Sequence, residues 1–367
     1  MTFEKTHLTD EIEWLNAREV QHNYALGPSV SIVLATFNGE QFLSDLLNSL
    51  KKQKYAPKEL IIGDDGSSDQ TLKLIKQFAE NCDMPVGLKR GENQGSSENF
   101  LSTAKFSSGD WIIFCDQDDV WGENRIALAI EEISIHPDLC AIFQSCEICD
   151  ENLIPRSKAL FPGTHMPGVY HANSIDLPHI WPGFLQVLRR DVVELAFSCS
   201  RPPQDYYSQT KNLIAHDRWT FILANMTGKV LVQDISVAKF RRHTRAQTGF
   251  YDGKKNRLDK IRTVSQIRLA RNTSIYDHFL TLQAFIKRDA VINSKIQKPL
   301  IKETYERYLS WAVEAKILSM LLGGAHRRRL WYWFFIGLTY SKKNKKFKFI
   351  NKLIINTLIR FFRKQTL

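Results

Sequence analysis

Three carboxylates fall within four residues at Asp116, Asp118 and Asp119, in a stretch, Asp110–Trp121, that reads Asp-Trp-Ile-Ile-Phe-Cys-Asp-Gln-Asp-Asp-Val-Trp. Acids packed this closely repel one another unless a cation or a hydrogen-bonding ligand compensates them. A hard divalent ion, Mg²⁺ or Mn²⁺, prefers oxygen donors and often takes one or two carboxylates together with substrate phosphates. The blander alternative is a solvated acidic turn, because Asp favours turns for local hydrogen-bonding reasons. A second acidic group, Asp64 and Asp65, closes another apolar run and opens Asp64-Asp65-Gly66-Ser67-Ser68-Asp69.

Both groups need strands to carry them. Trp111–Cys115 is a short apolar run of the kind that fits a strand buried on both faces. Acids at the carboxyl end of such a strand lie where open α/β sheets bind ligands. Val30–Ala35 predicts a first strand, Thr36–Gly39 a turn, and the spacing of Phe42, Leu46, Leu47 and Leu50 a helix over Glu40–Lys52. Leu60–Gly63 is the second strand, followed by Ser and Asp residues that suit the N-cap of a helix over Gln70–Asn81. Pro85–Leu88 is the third strand, and Asn93-Gln94-Gly95-Ser96-Ser97 leads into a helix over Glu98–Phe106. This alternation implies an α/β fold with a doubly wound, mostly parallel sheet and right-handed crossovers. No Gly-x-Gly-x-x-Gly follows the first strand and no Gly-Lys-Ser/Thr occurs. A phosphate would then be met by a metal and by helix N-termini rather than by a glycine-rich loop.

Further on, the pattern predicts a helix over Glu123–Ile135, a strand over Leu139–Ile148 and a long, lid-like loop over 151–180. A strand over Phe184–Leu188 and a helix from Asp191 follow. His216-Asp217-Arg218-Trp219 then opens a helix over Trp219–Met226, and Lys229–Val232 is a strand. Ala238–His243 leads through Arg241-Arg242-His243 into a basic loop. Residues 1–28 read as a polar helical lead-in broken by Gly27-Pro28, and 251–325 as helical.

Composition narrows the function classes. The chain of 367 residues is 43% hydrophobic, enough for a sizeable core. Its net charge of +11 is concentrated at the end: from His326 onward there is no Asp or Glu and there are twelve Lys and Arg. A basic tail on a near-neutral body suits an anionic surface. No apolar run is long enough to span a bilayer and the first residues lack a signal-peptide core, so a cytoplasmic protein is expected. Six cysteines in a chain this long fit reduced core residues, the Cys146/Cys149 pair included.

The motifs VSIVLATFNG, LIIGDDGSSDQT, NQGSSENF, IIFCDQDDVW, HDRW and FRRHTRAQTG, in this order over residues 28–250, resemble a family 2 glycosyltransferase of the GT-A fold, in its bacterial rhamnosyltransferase-like group. The resemblance implies an inverting transfer of a sugar, rhamnose in that group, from a nucleoside-diphosphate-sugar donor to a lipid-linked or polysaccharide acceptor in cell-surface glycan synthesis. It implies that Phe37 lies against the nucleotide base, that Asp65 hydrogen-bonds the base and that Asp116 contacts the ribose side. It places Asp118 and His243 on Mg²⁺ or Mn²⁺, Asn93 and Arg241 on sugar or phosphate, and makes Asp217 the general base. On residue type alone, Asp217 is equally an N-cap, Asp65 a turn residue and His243 a surface histidine. After His243 the family pattern usually continues with Asn and small residues, whereas this chain reads Thr244-Arg245-Ala246-Gln247.

In the tail, Leu330–Leu338 reads LWYWFFIGL between Arg327–Arg329 and Lys342–Lys348, and Phe347–Phe362 is a cationic amphipathic pattern. The expectation is a peripheral protein docked on the anionic inner face of the cell membrane, with no nucleic acid partner. The organisation expected is 1–28, an extension; 29–250, the catalytic domain; 251–325, a helical region; and 326–367, the attachment tail. A contrasting reading is a non-catalytic scaffold that binds nucleotide-sugar within a membrane assembly complex. Retention of both Asp118 and Asp217 favours the enzyme.

Overall fold

A computed structural model of the chain describes residues 12–16, 27–159, 167–175, 181–199, 201–202, 213–244, 286, 289–296, 298–304 and 306. The strands are β1 (Glu13–Asn16), β2 (Val30–Thr36), β3 (Glu59–Asp64), β4 (Val86–Arg90), β5 (Trp111–Asp116), β6 (Val120–Trp121), β7 (Leu139–Cys149), β8 (Pro155–Ala159), β9 (Gly168–Tyr170), β10 (Gln186–Arg189) and β11 (Lys229–Arg241). The helices between them are α1 (Leu43–Lys51), α2 (Thr71–Glu80), α3 (Ser96–Ala104), α4 (Arg125–Ile135), α5 (Arg190–Ser198) and α6 (His216–Thr227).

The four central strands form because their side chains are apolar on both faces and helices cover both faces. Val30, Ile32, Val33, Leu60, Ile61, Ile62 and Ile113 have no exposure at all. β4, β3, β2 and β5 run parallel in that order, with Val33 opposite Ile61 on one side and Phe114 on the other. Beyond β5 the sheet turns mixed. β10 pairs antiparallel with β5 and β7, β11 runs parallel to β7, and β6 closes the far edge. This is the expected α/β architecture with its parallel core.

Several elements differ from expectation. The lead-in segment is a strand where described: β1 pairs antiparallel with β4, Glu13 opposite Leu88 and Trp14 opposite Gly87. Gly87 leaves room for this cover, since a Cβ there would sit 2.4 Å from Ile12 Cδ1. Covering an otherwise open sheet edge is a stronger demand than the weak helical stripe of residues 1–28. The span 151–180 is not one loop: β8 forms a hairpin with β7, and β9 adds to β11. β11 is a single strand whose register breaks between Val232 and Lys239, which hid its continuity. Phe184 and Leu185 lie in a 3₁₀ turn ahead of β10. All six cysteines are free and buried.

The chain divides into two units, Met1–Arg201 with Ala215–Phe250, and Pro202–Ile214 with Tyr251–Leu367. The transfer of 202–214 to the second unit was not foreseen. In that unit Ala290–Lys295 is a helix, capped by Asp289, whose carboxylate accepts the Ile292 N–H at 2.9 Å. The rest of the expected helical region and the whole of 326–367 lie outside the described residues. Among the described residues no helix is long and apolar enough to cross a membrane.

β1 is fastened by Asn16, whose Nδ2 donates to the carbonyls of Ala79 at 3.0 Å and Cys82 at 2.7 Å. Asn16→Ala should therefore lower unfolding free energy by about 1–2 kcal/mol in urea titration. A detached lead-in helix would predict no change.

Candidate active site

The strand order reverses at β2. The chain moves outward from β2 through β3 to β4, then returns to lay β5 on the other side of β2. In open α/β sheets the crevice at the carboxyl ends of the strands beside such a switch point binds ligands. Three stretches arrive there: Thr36-Phe37 from β2, Asp64-Asp65 from β3 and Asp116 from β5.

The turns at this end are cross-laced. Asp64 is buried and accepts Thr36 Oγ1 at 2.9 Å, Ser67 N–H at 2.9 Å and Ser67 Oγ at 2.6 Å. Asp65, 4% exposed, accepts the backbone N–H groups of Gln94 at 2.8 Å and Gly95 at 2.7 Å. Its carbonyl also takes the Asn93 N–H at 3.0 Å. Asp65 is thus placed as the anchor of the 91–95 loop, a job its residue type did not reveal. Asn93 is exposed on that loop with φ of 53°, a left-handed conformation that Asn tolerates. Phe37 is 45% exposed at the crevice.

The carboxylates do gather. Burial raises Asp116 to about 8, with the charges of Asp118 and Asp217 adding to the rise and Arg125 opposing it. Asp217, carried by a different element, is therefore close enough for Asp116 to feel its charge. Asp119 has no exposure; its Oδ1 accepts the Arg241 N–H at 3.1 Å, while Oδ2 has no partner among the described residues. Burial first, then Asp118 and Asp116, push its carboxyl well up. The compensating cation is Arg125, fully buried, 3.7 Å over the Trp121 ring and donating to the Phe184 carbonyl. Burial holds its guanidinium down to about 10. Arg125 escaped sequence reasoning; the available signal was an Arg on the face of α4 that carries Ile126, Ala129, Ile130 and Ile133.

His243 and Asp118 meet, with His243 Nε2 2.8 Å from Asp118 Oδ2. Adjacent donors of an octahedral ion with bonds of about 2.0–2.1 Å lie about 3 Å apart, so this pair fits a small divalent cation. Among the described residues no three His, Cys, Asp or Glu cluster to hold a metal. The protein would supply one carboxylate oxygen and one imidazole nitrogen and leave the remaining positions to ligand oxygens and water.

Arg241 is placed differently from a sugar or phosphate contact. It is 3% exposed, and its Nε, Nη1 and Nη2 donate to Asp118 O at 2.9 Å, Glu151 O at 2.7 Å and Asp45 Oδ2 at 2.7 Å. Its guanidinium lies 4.4 Å over the Phe42 ring, against which His243 also packs at 4.6 Å. Arg241 therefore shapes the Asp118 turn from behind.

Asp217 sits in the first turn of α6, inside the helix rather than at its cap, which is Ala215. Its Oδ1 accepts the Arg218 N–H at 2.6 Å and its carbonyl accepts Gln186 Nε2 at 2.7 Å. The preceding His216 is buried, stacked on Phe100 at 4.3 Å, with Nδ1 3.4 Å from Ser97 Oγ. Burial, with a smaller push from Arg201, lowers it to about 3, so the ring is neutral at ordinary pH. Gly183 abuts both residues: a Cβ there would lie 2.6 Å from His216 Nε2 and 3.3 Å from Asp217 Cβ.

Residues 31–194 match the family model described as Glycosyl transferase family 2. The chain is 32% identical over 126 residues to the UDP-Glc:alpha-D-GlcNAc-diphosphoundecaprenol beta-1,3-glucosyltransferase WfgD of Escherichia coli, covering 34% of this chain and 48% of that protein. It is 29% identical over 126 residues to the dTDP-rhamnosyl transferase RfbG of Shigella flexneri, covering 33% and 41%. The chain thus spans about half the length of the curated relatives it matches. Among solved structures, S. aureus TarS 1–349 in complex with UDP-GlcNAc aligns at a TM-score of 0.49 and 15% identity, covering 80% of this chain and 86% of that one.

Two measurements follow from this geometry. Gly183→Ala should displace His216 and Asp217, cutting turnover at least about tenfold while costing stability by about 1–3 kcal/mol, as overpacking does. The His216 ring is depressed below its ordinary 6.5. The unfolded chain therefore takes up a proton that the fold refuses, and stability present above about pH 6.5 drains away as pH falls toward 3. One such group contributes at most about 1.4 kcal/mol per pH unit. His216→Phe should flatten that acid limb in denaturation curves taken from pH 7 to pH 4.

Proposed function

We propose that the chain is a family 2 glycosyltransferase, the family whose model residues 31–194 match, and that it moves a sugar from a nucleoside-diphosphate-sugar to a hydroxyl of a lipid-linked or polysaccharide acceptor in cell-surface glycan synthesis. The observation that carries the proposal is the meeting of Asp118, His243, Asp116 and Asp217, drawn from three separate elements, at the switch-point crevice.

In this reading the exposed Phe37 ring receives the nucleotide base and Asp116 the ribose side. Asp65 acts at the base site by holding the 91–95 loop, from which Asn93 reaches the sugar or phosphate. Asp118 and His243 would hold Mg²⁺ or Mn²⁺. When bound, the ion supplies charge neutralisation on the departing diphosphate. Asp217 accepts the proton of the acceptor hydroxyl as its oxygen bonds to the anomeric carbon. The bond from that carbon to the diphosphate oxygen breaks on the opposite face, so configuration inverts. The nucleoside diphosphate leaves with the bond's electron pair, and the proton ends on the Asp217 carboxylate. Rhamnose as the donor sugar is supported by the motif resemblance and by likeness to a dTDP-rhamnosyl transferase; likeness to a UDP-Glc enzyme supports glucose as strongly. The basic, aromatic sequence of 326–367 supports peripheral docking on an anionic membrane surface, where a lipid-linked acceptor would be met.

Calorimetric titration with uridine-, deoxythymidine- and guanosine-diphosphate sugars, with and without Mn²⁺, tests the proposal. The wild type should bind one nucleotide class in a metal-dependent manner, and Asp118→Ala should lose that dependence. Asp217→Asn should keep donor affinity and lose about 10²–10⁴-fold in turnover. Binding without any transfer or donor hydrolysis would turn the reading to the non-catalytic scaffold. A folded wild type that binds no donor would overturn the proposal.

A further inference from the structure

The last rung between β2 and β5 joins Ala35 to Asp116. One residue further on, the ladder is continued by a side chain. Gln117 Oε1 accepts the Phe37 N–H at 2.9 Å, and Gln117 Nε2 donates to the Phe37 carbonyl at 3.0 Å. The carboxamide thus stands in for a peptide group, satisfying both polar atoms of Phe37 after its strand has ended. Gly39 makes the fit possible, because a Cβ there would fall 2.3 Å from Gln117 Oε1 and 2.7 Å from its Cδ. The other side of the turn is pinned as well. Asn38, at φ of 47°, donates its N–H to Ser67 Oγ at 2.9 Å and accepts the Ser68 N–H on Oδ1 at 2.9 Å.

The result is a fixed backbone carrying an exposed aromatic ring. Phe37 is 45% exposed although its own peptide groups are fully engaged. A ring held this way loses little freedom when a planar ligand covers it, so less binding energy is lost to ordering. The same Gln117 lies between Asp116 and Asp118, so one side chain ties the aromatic platform to the carboxylate turn.

We infer that Gln117 is a positioning residue for the nucleotide platform. It sets affinity for the nucleoside part of the donor by fixing Phe37, and it keeps that platform in register with the diphosphate end of the site. The inference rests on the proposal that Phe37 meets the base.

Two variants attack the clamp from opposite sides. Gln117→Met keeps length and removes the amide; Gly39→Ala leaves the amide intact and drives it off. Both would be titrated calorimetrically with the nucleoside diphosphates and with inorganic pyrophosphate, in Mn²⁺, alongside thermal melts that confirm folding. Each variant should lose about tenfold in affinity for the preferred nucleoside diphosphate, the equivalent of two ordinary hydrogen bonds' net worth. The spread of affinities across the bases should narrow, while pyrophosphate binding stays within about twofold. Equal losses for nucleoside diphosphate and pyrophosphate would mean that Gln117 only braces the turn, and no loss for either would mean that the clamp is idle; both outcomes overturn the inference. A wild type that binds pyrophosphate and no nucleoside diphosphate would instead overturn the base-platform proposal beneath it.

Discussion

Carboxylate crowding at the end of β5 is the constraint on which the rest of this molecule turns. Asp116, Asp118 and Asp119 stand within four residues at the end of β5 and in the turn after it, and Asp217 joins them from α6. Within a protein interior such charges are tolerable only with compensation. Part of it is built in: Arg125 lies buried beneath the cluster, and the Arg241 N–H faces Asp119. Burial first, and the neighbouring acids second, still leave the Asp116 and Asp119 carboxyls raised. Carboxyls crowded and buried in this way favour the binding of a proton or of a cation.

The architecture answers that constraint by bringing distant pieces of chain to one seat. The N-cap of α1 supplies Phe42 and its first turn Asp45; the end of β11 supplies Arg241, and His243 follows it. Arg241 spans from Asp45 to the Asp118 carbonyl while its backbone N–H serves Asp119. His243 is thereby delivered to Asp118 by an element that has already been tied down two residues earlier. The register breaks in β11 have a use here, because they let one strand both pair with β7 along the core and reach the acidic turn at its end.

Much of this was legible before any coordinates. The acids announced themselves because apolar runs precede them, and a run such as Trp111–Cys115 admits few interpretations besides a buried strand. Pairings across the chain were less legible. That Asp65 would spend its oxygens on loop amides, or that Arg241 would be buried, depends on partners that no local pattern specifies. Arg125 carried no such mark, since burial of a cation becomes sensible only once the acids beside it are counted. The strand at Glu13–Asn16 was read as helix because four residues on a sheet edge are too few to show a period. The helix expected from Trp219 starts three residues earlier, at His216, so Asp217 lies two residues past the Ala215 cap, within the usual margin of boundary inference.

The fastening of the 91–95 loop has an outcome for protein engineering and for divergence. Asp65 grips this loop through the main chain of Gln94 and Gly95, and Gly91 and Asn93 bond back through their own N–H groups to the carbonyls of Asp64 and Asp65. None of these contacts reads a loop side chain. Gly95, with φ of 86°, and Asn93, with φ of 53°, are the positions of this loop where the backbone itself favours a residue type. Residues 92 to 94 are all exposed. Positions 92 and 94 form an interchangeable pair in a socket of constant shape, so that new side chains can be tried there without the loop having to be folded afresh.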